Sequence, residues 1–363
     1  MAAVYISWPF CAQKCTYCNF ASGVFARSLE ADYRTALAAE IDAHSWRWPP
    51  ETLYLGGGTP SLTDPETLGM LLRAIPGRPW TEATIEAAPG SITRERARLW
   101  RETGINRVSI GAQSFVQAEI ARSGRRHTAA LVAEEVVLLR QEGLGNFNID
   151  LIAGLPHQTT ASWRESLDWI ERLQAPHVSV YMLEVDQDSP LGREILRGGA
   201  RYDARAVPSE DLIAELYETA VERLGAMGIH RYEISNFAQP GCQSRHNLKY
   251  WLLEPYAGFG ADAHSFDGEL RRENVESPAA YVARWRAGES PCVAAVPARS
   301  EEERFFVGLR LTRGMRPTRE EWTRYAAPIR RFVQDGLLES DGENLRLTNR
   351  GVLLSNEVFQ EFL

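Results

Sequence analysis

Three cysteines lie within eight residues near the start of the chain, spaced Cys11-x3-Cys15-x2-Cys18. They follow a short apolar run, Val4–Ile6, whose composition is typical of a buried β-strand. A loop that leaves a strand can bring three thiolates to one soft metal centre. Three thiolates satisfy only three irons of a four-iron cluster, so one iron would keep a position for a non-protein ligand. The spacing therefore favours an iron–sulfur cluster with one open, reactive iron.

A structural zinc site, three unrelated thiols and half of a disulfide framework are the alternatives. A structural zinc ion normally takes four protein ligands, and no histidine or fourth cysteine lies close in sequence. Disulfides are not expected, because the five cysteines are an odd number and no secretory segment precedes the motif. The two remaining cysteines, Cys242 and Cys292, are distant in sequence, and as lone thiols we expect them to be buried apolar residues.

The cysteine motif resembles the signature of the radical S-adenosylmethionine (SAM) superfamily, in which an aromatic residue precedes the last cysteine. Tyr17 occupies that position. The resemblance implies a [4Fe–4S] cluster bound by Cys11, Cys15 and Cys18, with SAM as the ligand of the open iron.

Composition limits the classes of protein to which the chain can belong. Its 363 residues, 44% of them hydrophobic, are enough for a large core and one or two domains. The net charge of −8 argues against nonspecific nucleic-acid binding as the main task. No apolar run approaches the roughly 20 residues of a membrane helix. We therefore expect a cytoplasmic protein, and a reducing compartment suits both an oxygen-sensitive cluster and isolated thiols.

Short apolar runs alternate with helical periodicity through the first 180 residues, which predicts an α/β protein with a parallel sheet. The predicted strands are centred on residues 4–6, 52–55, 83–87, 107–111, 147–152 and 177–182. Six strand–helix units fit either a partial barrel or an open doubly wound sheet. The radical SAM resemblance implies the first, a partial (βα)6 TIM-like barrel. We expect this core to span residues 1–240, followed by a connecting region at 241–297.

The tail, residues 298–363, is predicted to form a separate winged-helix-like α+β domain. Helical stretches at 300–311, 318–325 and 328–335 precede a hairpin signal with a turn at Asp341-Gly342. Between Ala295 and Leu363 the chain has 11 arginines and no lysine against 11 acidic residues. A DNA-reading winged helix is usually basic, so we expect a packing or partner-docking module.

Polar residues and glycines lie in the predicted strands or after their carboxyl ends, where parallel sheets collect ligands. They are Gly57, Gly58, Thr59, Glu86, Gln113, Arg125 and Asp150. Each one singly is more readily explained as a strand terminator or a satisfied core polar residue. Together they offer acceptors for an amino group, a carboxylate-binding arginine and hydroxyl-binding acids, which is what a SAM molecule requires.

Their order resembles one branch of the superfamily, the oxygen-independent coproporphyrinogen oxidases and the related HemW heme chaperones. The resemblance covers essentially the whole chain. Transferred to matching positions, the SAM contacts of the branch are Tyr5, Tyr17, Gly57, Gly58, Thr59, Glu86, Gln113, Arg125 and Asp150.

Two features separate the chaperones from the oxidases within this branch. The oxidases carry a further cysteine two residues after the third, and here that residue is Phe20. The segment His246–Trp251 matches the His-Asn-x-x-Tyr-Trp motif of heme-binding members, which implies that His246 is a heme ligand. His264 is a second candidate, although the family usually has glycine near Asp262, so this loop departs from the pattern.

The resemblance thus implies a heme chaperone that carries a [4Fe–4S] cluster and SAM, binds heme and passes it to an unidentified acceptor protein. It also leaves room for a peripheral membrane contact during heme delivery, and it implies no nucleic-acid partner. The alternative is an oxygen-independent coproporphyrinogen III dehydrogenase that uses radical SAM chemistry for oxidative decarboxylation. A winged-helix regulator with a redox-sensing cluster is a third hypothesis, which the neutral tail disfavours.

Overall fold

Six parallel strands form the centre of the molecule. The structure is a computed structural model and describes residues 2–362. The strands are β1 (Ala2–Trp8), β2 (Pro50–Gly57), β3 (Glu82–Ala87), β4 (Arg107–Gln113), β5 (Phe147–Ala153) and β6 (His177–Met182). Neighbours in sequence are neighbours in the sheet, and each pair is parallel. This order confirms the predicted partial (βα)6 barrel, with every strand at its expected place.

Helices cross over between consecutive strands and cover the outer face. They are α1 (Arg27–Ala43), α2 (Pro65–Ala74), α3 (Arg94–Glu102), α4 (Gln117–Arg122), α5 (Ala129–Gln141) and α6 (Thr160–Leu173). Side chains of Asp64, Thr93 and Thr128 accept hydrogen bonds from the first turns of α2, α3 and α5, which fixes where these helices begin.

Burial along the strands shows which side chains face the helices and which face the barrel interior. Val4 and Ile6 are fully buried, whereas Tyr5 between them is partly accessible. The same alternation on β2 leaves Tyr54 partly accessible between the buried Leu53 and Leu55. Successive strand residues point to opposite faces, so the accessible set lines the interior. The interior is therefore polar and reachable, while the apolar core lies between sheet and helices.

The sheet continues beyond β6 on one side. After α7 (Pro190–Leu196) and α8 (Glu210–Ala226), two short strands follow, β7 (His230–Arg231) and β8 (Asn236–Ala238). Strand β8 pairs antiparallel with β6, and β7 pairs with β8.

Residues 241–297, expected to be a connecting region, extend the sheet on the side of β1. They form α9 (Arg245–Trp251), β9 (Tyr256–Phe259), β10 (His264–Phe266), β11 (Leu270–Asn274), α10 (Pro278–Arg286) and β12 (Cys292–Pro297). Strand β9 runs parallel to β1, and β10, β11 and β12 follow in antiparallel order. The segment is thus an integral part of a twelve-stranded sheet. Short strands and the turns between them account for its richness in glycine and polar residues, which resembles a linker in sequence.

The tail has the helix–helix–hairpin order predicted for a winged helix. Its elements are α11 (Ser300–Leu309), α12 (Arg319–Arg324), α13 (Ala326–Gln334), β13 (Leu338–Ser340), β14 (Leu345–Leu347), α14 (Asn349–Leu353) and α15 (Ser355–Gln360). Met315 exchanges two backbone hydrogen bonds with Leu345, which adds a third strand position to the hairpin.

Arg310 attaches the tail to the rest of the molecule. Its Nη2 donates to Oε2 of Glu233 at 3.2 Å, and Glu233 is fully buried. The guanidinium also lies 4.3 Å from the ring centre of Trp251, the last residue of α9. The tail therefore packs directly on the helix that carries the His-Asn-x-x-Tyr-Trp motif.

Candidate functional site

The three motif cysteines lie on the loop between β1 and α1, and all three are half-buried free thiols. The Cys11 N–H donates to the Gly23 carbonyl at 2.8 Å, and the Cys18 N–H donates to the Cys15 carbonyl at 3.3 Å. Within residues 2–362, no three His, Cys, Asp or Glu side chains converge closely enough for a single metal ion. A four-iron cluster does not require this, since each thiolate binds a different iron.

The loop is held in shape by its own lysine. Lys14 Nζ donates to the carbonyls of Phe20 and Ser22 at 2.6 and 2.7 Å. Burial raises the pKa of the Cys11 thiol. The side chains of Ser22 and Thr59, which lie next to this thiol, act in the opposite direction but are outweighed. Phe20 itself is 64% exposed, so the residue that replaces the oxidase cysteine faces away from the loop interior.

Gly57 ends β2 and Gly58 follows it, directly beside the cysteine loop. The Gly58 N–H donates to the Trp8 carbonyl at 2.8 Å, and the Thr59 N–H donates to the Phe10 carbonyl at 2.9 Å. A Cβ at Gly58 would lie 2.7 Å from the Phe10 carbonyl oxygen, closer than real Cβ atoms come. Gly57 has a φ of +108°, which favours glycine. The close backbone contact at Gly58 and the positive φ of Gly57 are therefore steric reasons for glycine at both positions.

Glu86 lies at the end of β3 and faces the interior. Its Oε1 accepts from the Tyr54 hydroxyl at 2.9 Å and its Oε2 accepts from the Gly57 N–H at 3.1 Å. Burial, with a smaller contribution from the charge of Asp150, raises the Glu86 pKa to about 7. A ligand that brings an N–H donor or a positive charge would therefore stabilise the ionised form of this carboxylate.

Arg125 joins the end of β4 to the cysteine loop. Its Nε donates to the Tyr17 hydroxyl at 3.0 Å, and its Nη1 donates to the Gly111 carbonyl at 2.7 Å. Burial opposes its charge, but the Tyr17 hydroxyl and the Cys15 thiol outweigh burial and raise the Arg125 pKa. Gln113 ends β4 with a left-handed φ of 69°. Tyr17 and Arg125, two of the residues predicted to contact SAM, therefore lie beside Cys15, a predicted cluster ligand.

Asp150 faces the interior from the middle of β5. Its carboxylate accepts from Asn148 Nδ2 at 2.6 Å and from the Ser109 hydroxyl at 3.3 Å. Burial is the main cause that raises its pKa. The charge of Asp150 contributes to the raised pKa of Glu86, so the two carboxyl groups lie near each other and a ligand placed between them would meet two acceptors.

Tyr54 and Tyr181 were not identified from the sequence. Tyr54 stacks on Tyr5 with ring centres 6.2 Å apart and donates to Glu86. Tyr181 on β6 is 43% exposed, and burial followed by the charge of Asp150 raises its pKa, so its hydroxyl lies near that carboxylate. The sequence carried one signal for Tyr54, since Thr52, Tyr54 and Gly56 alternate with the apolar residues of β2 and so share the face that lines the interior.

His246 is placed differently from all these residues. It lies on α9, is 1% exposed and uses both ring nitrogens. Nδ1 lies 3.0 Å from the Thr52 hydroxyl and Nε2 lies 2.8 Å from the Tyr250 hydroxyl. Burial, followed by the charges of Lys249 and Arg107, lowers its pKa to about 3. No nitrogen of His246 is available to a metal in this arrangement.

Two strands of the barrel, β2 and β3, hold α9 at their amino ends. Glu82 on β3 accepts from the Ser244 hydroxyl and from the N–H groups of Arg245 and His246 at 2.9 to 3.1 Å, which caps the helix. Lys249 Nζ donates to Glu51 on β2 at 2.7 Å. The predicted SAM contacts and His246 therefore lie at opposite ends of the same strands.

The remaining candidates are less enclosed. His264 is exposed at the start of β10. Asp262 has a φ of 60°, which explains why glycine suits this loop and why aspartate is tolerated in it. Cys242 and Cys292 are half-buried, whereas the sequence interpretation had them buried.

None of the helices in residues 2–362 combines the length and the apolar composition of a membrane-spanning helix.

Comparison with known proteins places these features in a family. Residues 5–170 match the Radical SAM superfamily and residues 301–354 match the HemN C-terminal domain. A protein named Heme chaperone HemW from Bacillus subtilis is 34% identical, and the alignment covers 100% of this chain and 99% of that protein. A second Heme chaperone HemW, from Lactococcus lactis, is 31% identical over 99% of this chain and 97% of its own.

The solved structure of coproporphyrinogen III oxidase (HemN) from Escherichia coli, described as a radical SAM enzyme, has the same fold. It covers 99% of this chain and 89% of its own chain with a TM-score of 0.84 at 20% identity. The full-length similarity to the two HemW proteins is the closer relation in sequence. The chain belongs to the HemW family of the radical SAM superfamily.

Proposed function

We propose that the protein is a heme chaperone, which binds heme and transfers it to an acceptor protein. The observation that carries the proposal is the full-length similarity to proteins named as heme chaperones. Two local features agree with it, the exposed Phe20 in place of the oxidase cysteine and the complete His246–Trp251 motif.

The residues at the carboxyl ends of the strands fit a cluster and a SAM molecule. Three reduced thiols lie on one loop, and beside it Glu86 and Arg125 offer a carboxylate and a guanidinium of opposite charge. In this proposal Glu86 accepts from the amino group of SAM, and Arg125 and Gln113 bind its carboxylate. Gly57 and Gly58 keep the loop and β2 close enough to shape the pocket. A reduced cluster with bound SAM supplies one-electron chemistry.

The acceptor protein is not identified by any surface described above. The five free thiols are consistent with the expected cytoplasmic compartment, which stays a prediction. The peripheral membrane contact also stays a prediction, without an observation in its favour.

Heme titration of the anaerobically reconstituted protein tests the proposal. We expect a shifted Soret band at micromolar protein, and His246→Ala is expected to weaken binding. His230→Ala is the matched control, because this histidine is exposed on β7 and is not a candidate ligand. Absence of heme binding by the wild-type protein at micromolar concentration would contradict the proposal.

Product analysis with coproporphyrinogen III on the same sample tests the alternative. The shared fold alone does not decide between the two activities. Formation of protoporphyrinogen IX would make the protein a dehydrogenase and overturn the chaperone assignment.

A further inference from the structure

We propose that Glu119 is a positioning residue for SAM binding, which acts through Ser114 to hold Gln113 in the conformation that receives the SAM carboxylate. The inference rests on the proposed binding of SAM and adds to it a residue that does not itself touch the ligand. Glu119 lies on α4, and it was not among the residues that the sequence indicated.

The side chains of Gln113 and Arg125 converge beside Gly111. A Cβ at Gly111 would lie 3.0 Å from Gln113 Nε2 and 3.3 Å from Arg125 Nη2. Both groups donate N–H hydrogen bonds, and two such donors side by side match the two oxygens of a carboxylate. The pair can therefore bind a carboxylate together only while the Gln113 side chain points toward Arg125.

Gln113 reaches this position through a backbone conformation that glutamine rarely adopts. Its φ is +69°, in the left-handed region. The register between β4 and β5 also shifts here, since β4 advances three residues from Ile110 to Gln113 while β5 advances two. A bulge of this kind turns a side chain in a new direction. Such a conformation costs free energy and persists only where the surrounding contacts hold it.

The residue that follows Gln113 supplies part of that hold. Ser114 is fully buried, and its hydroxyl donates to Glu119 Oε2 at 2.6 Å and accepts from the Val116 N–H at 2.9 Å. Rotation of the backbone at Gln113 would move Ser114 and break these hydrogen bonds. Glu119 is thus one hydrogen bond away from the strained turn.

Glu119 is itself tied to the end of β5. It is 2% exposed, and its Oε2 also accepts from Gln158 Nε2 at 3.4 Å. The same amide donates to the Ile152 carbonyl at 3.1 Å, and Gln158 Oε1 accepts from the Gly154 N–H at 2.5 Å. The carboxyl group of Glu119 therefore connects the turn after β4 with the turn after the neighbouring strand.

The hydrogen bonding of Glu119 is not what stability alone would favour. Its Oε1 is buried and has no partner among residues 2–362. A buried carboxyl oxygen without a donor costs free energy that an apolar side chain in the same place would not cost. What the other oxygen secures is the geometry next to Gln113.

A double-mutant cycle tests this role, with the SAM affinity of the anaerobically reconstituted full-length protein measured by equilibrium dialysis. Gln113→Ala and Glu119→Ala are each expected to weaken SAM binding about tenfold, the effect of losing one hydrogen bond to a charged group. Because Glu119 acts through Gln113, the double variant should bind SAM no more weakly than Gln113→Ala does. A merely structural role would give the same loss in both backgrounds.

Two further variants separate positioning from folding. Ser114→Ala removes the connecting hydroxyl and little volume, so it should reproduce the loss and the non-additivity even if Glu119→Ala does not fold. Glu119→Gln keeps an acceptor at the same reach and should bind SAM nearly as well as wild type. Glu142→Ala is the matched control, since it removes another buried carboxylate, which pairs with Arg94 and Arg98. It should lose stability and keep the SAM affinity of wild type.

Equal losses from Glu119→Ala in the wild-type and Gln113→Ala backgrounds would overturn the inference and leave SAM binding intact. So would an unchanged SAM affinity in either Glu119→Ala or Ser114→Ala. An unchanged affinity in Gln113→Ala would remove Gln113 from the SAM contacts, and the inference with it. If the wild-type protein binds no SAM, the proposed cofactor itself fails.

Discussion

The two ends of the barrel strands use polar residues in opposite ways. At the carboxyl ends, Glu86 and the three cysteines are held by few contacts and keep capacity for a ligand. At the amino ends, His246 is fully enclosed, and every polar atom of its ring has a partner. Both sets were identified from sequence motifs. The difference shows that a motif on a loop can leave its side chains open to a ligand, whereas a motif histidine on a buried helix can have both ring nitrogens already paired.

The largest expected effect comes from removing a cluster ligand. Cys15→Ala should abolish the cluster absorbance of the reconstituted protein and reductive SAM cleavage, because a site with two thiolates binds a four-iron cluster poorly. The unfolding midpoint of the apo protein should stay unchanged, since the thiol is half-buried and free.

Cys242→Ala is the matched control for this experiment. It removes another half-buried free thiol far from the loop. A full cluster content in Cys15→Ala would contradict the assignment of the loop.

At the amino ends of the strands, by contrast, we expect a substitution to lower the stability of the apo protein. His246→Ala should destabilise the apo protein by about 3 kcal/mol, since it leaves a cavity and two unpaired hydroxyls. Urea unfolding of the apo protein measures the change. A loss below about 0.5 kcal/mol would mean that His246 is not the enclosed residue described here.

The approach of β2 to the cysteine loop can be tested with glycines. Gly58→Ala should cost about 2 kcal/mol and reduce cluster incorporation, because the new Cβ meets the backbone of Pro9 and Phe10. Gly225→Ala on α8 is the control, since a Cβ there meets no atom within 4 Å. It should stabilise the helix by about 0.5 to 1 kcal/mol. Equal stabilities of the two variants would contradict the close approach.

The smallest effect concerns pH. A Glu86 pKa of about 7 means that the carboxylate is lost as the pH falls through 7. We therefore expect the SAM affinity of the wild-type protein to fall below pH 7, by up to about tenfold per unit, and to level off above it. Equilibrium dialysis between pH 6 and 8 measures this dependence.

Glu86→Gln should weaken SAM binding about tenfold at pH 8 and remove the dependence. In the folded wild-type protein the pKa of Glu86 lies above the ordinary glutamate value of 4.5, so Glu86 lowers the stability of the apo protein as the pH rises from 4.5 through 7. The apo variant should gain stability relative to wild type above pH 7. A pH-dependent SAM affinity in the variant equal to that of wild type would assign the titration to another group.

Sequence patterns predicted the six parallel strands because each is a short apolar run between helical periodicities. They failed at residues 241–297, where β10 has three residues and β9 has four, too few for periodicity to show. At the site, position in sequence and charge indicated Glu86 and Arg125, and their contacts with SAM stay a prediction. Tyr54 was missed because its role depends on a hydrogen bond across two strands, and the enclosure of His246 depends on Thr52, which is 194 residues away.

The capping of α9 by Glu82 has a consequence for communication within the molecule. Strand β3 holds the helix with Glu82 at one end and carries Glu86 at the other, and β2 does the same with Thr52 and Gly57. If heme binding displaced α9, β2 and β3 would connect that displacement to Gly57 and Glu86. Linkage would then require that heme change the SAM affinity by the same factor by which SAM changed the heme affinity.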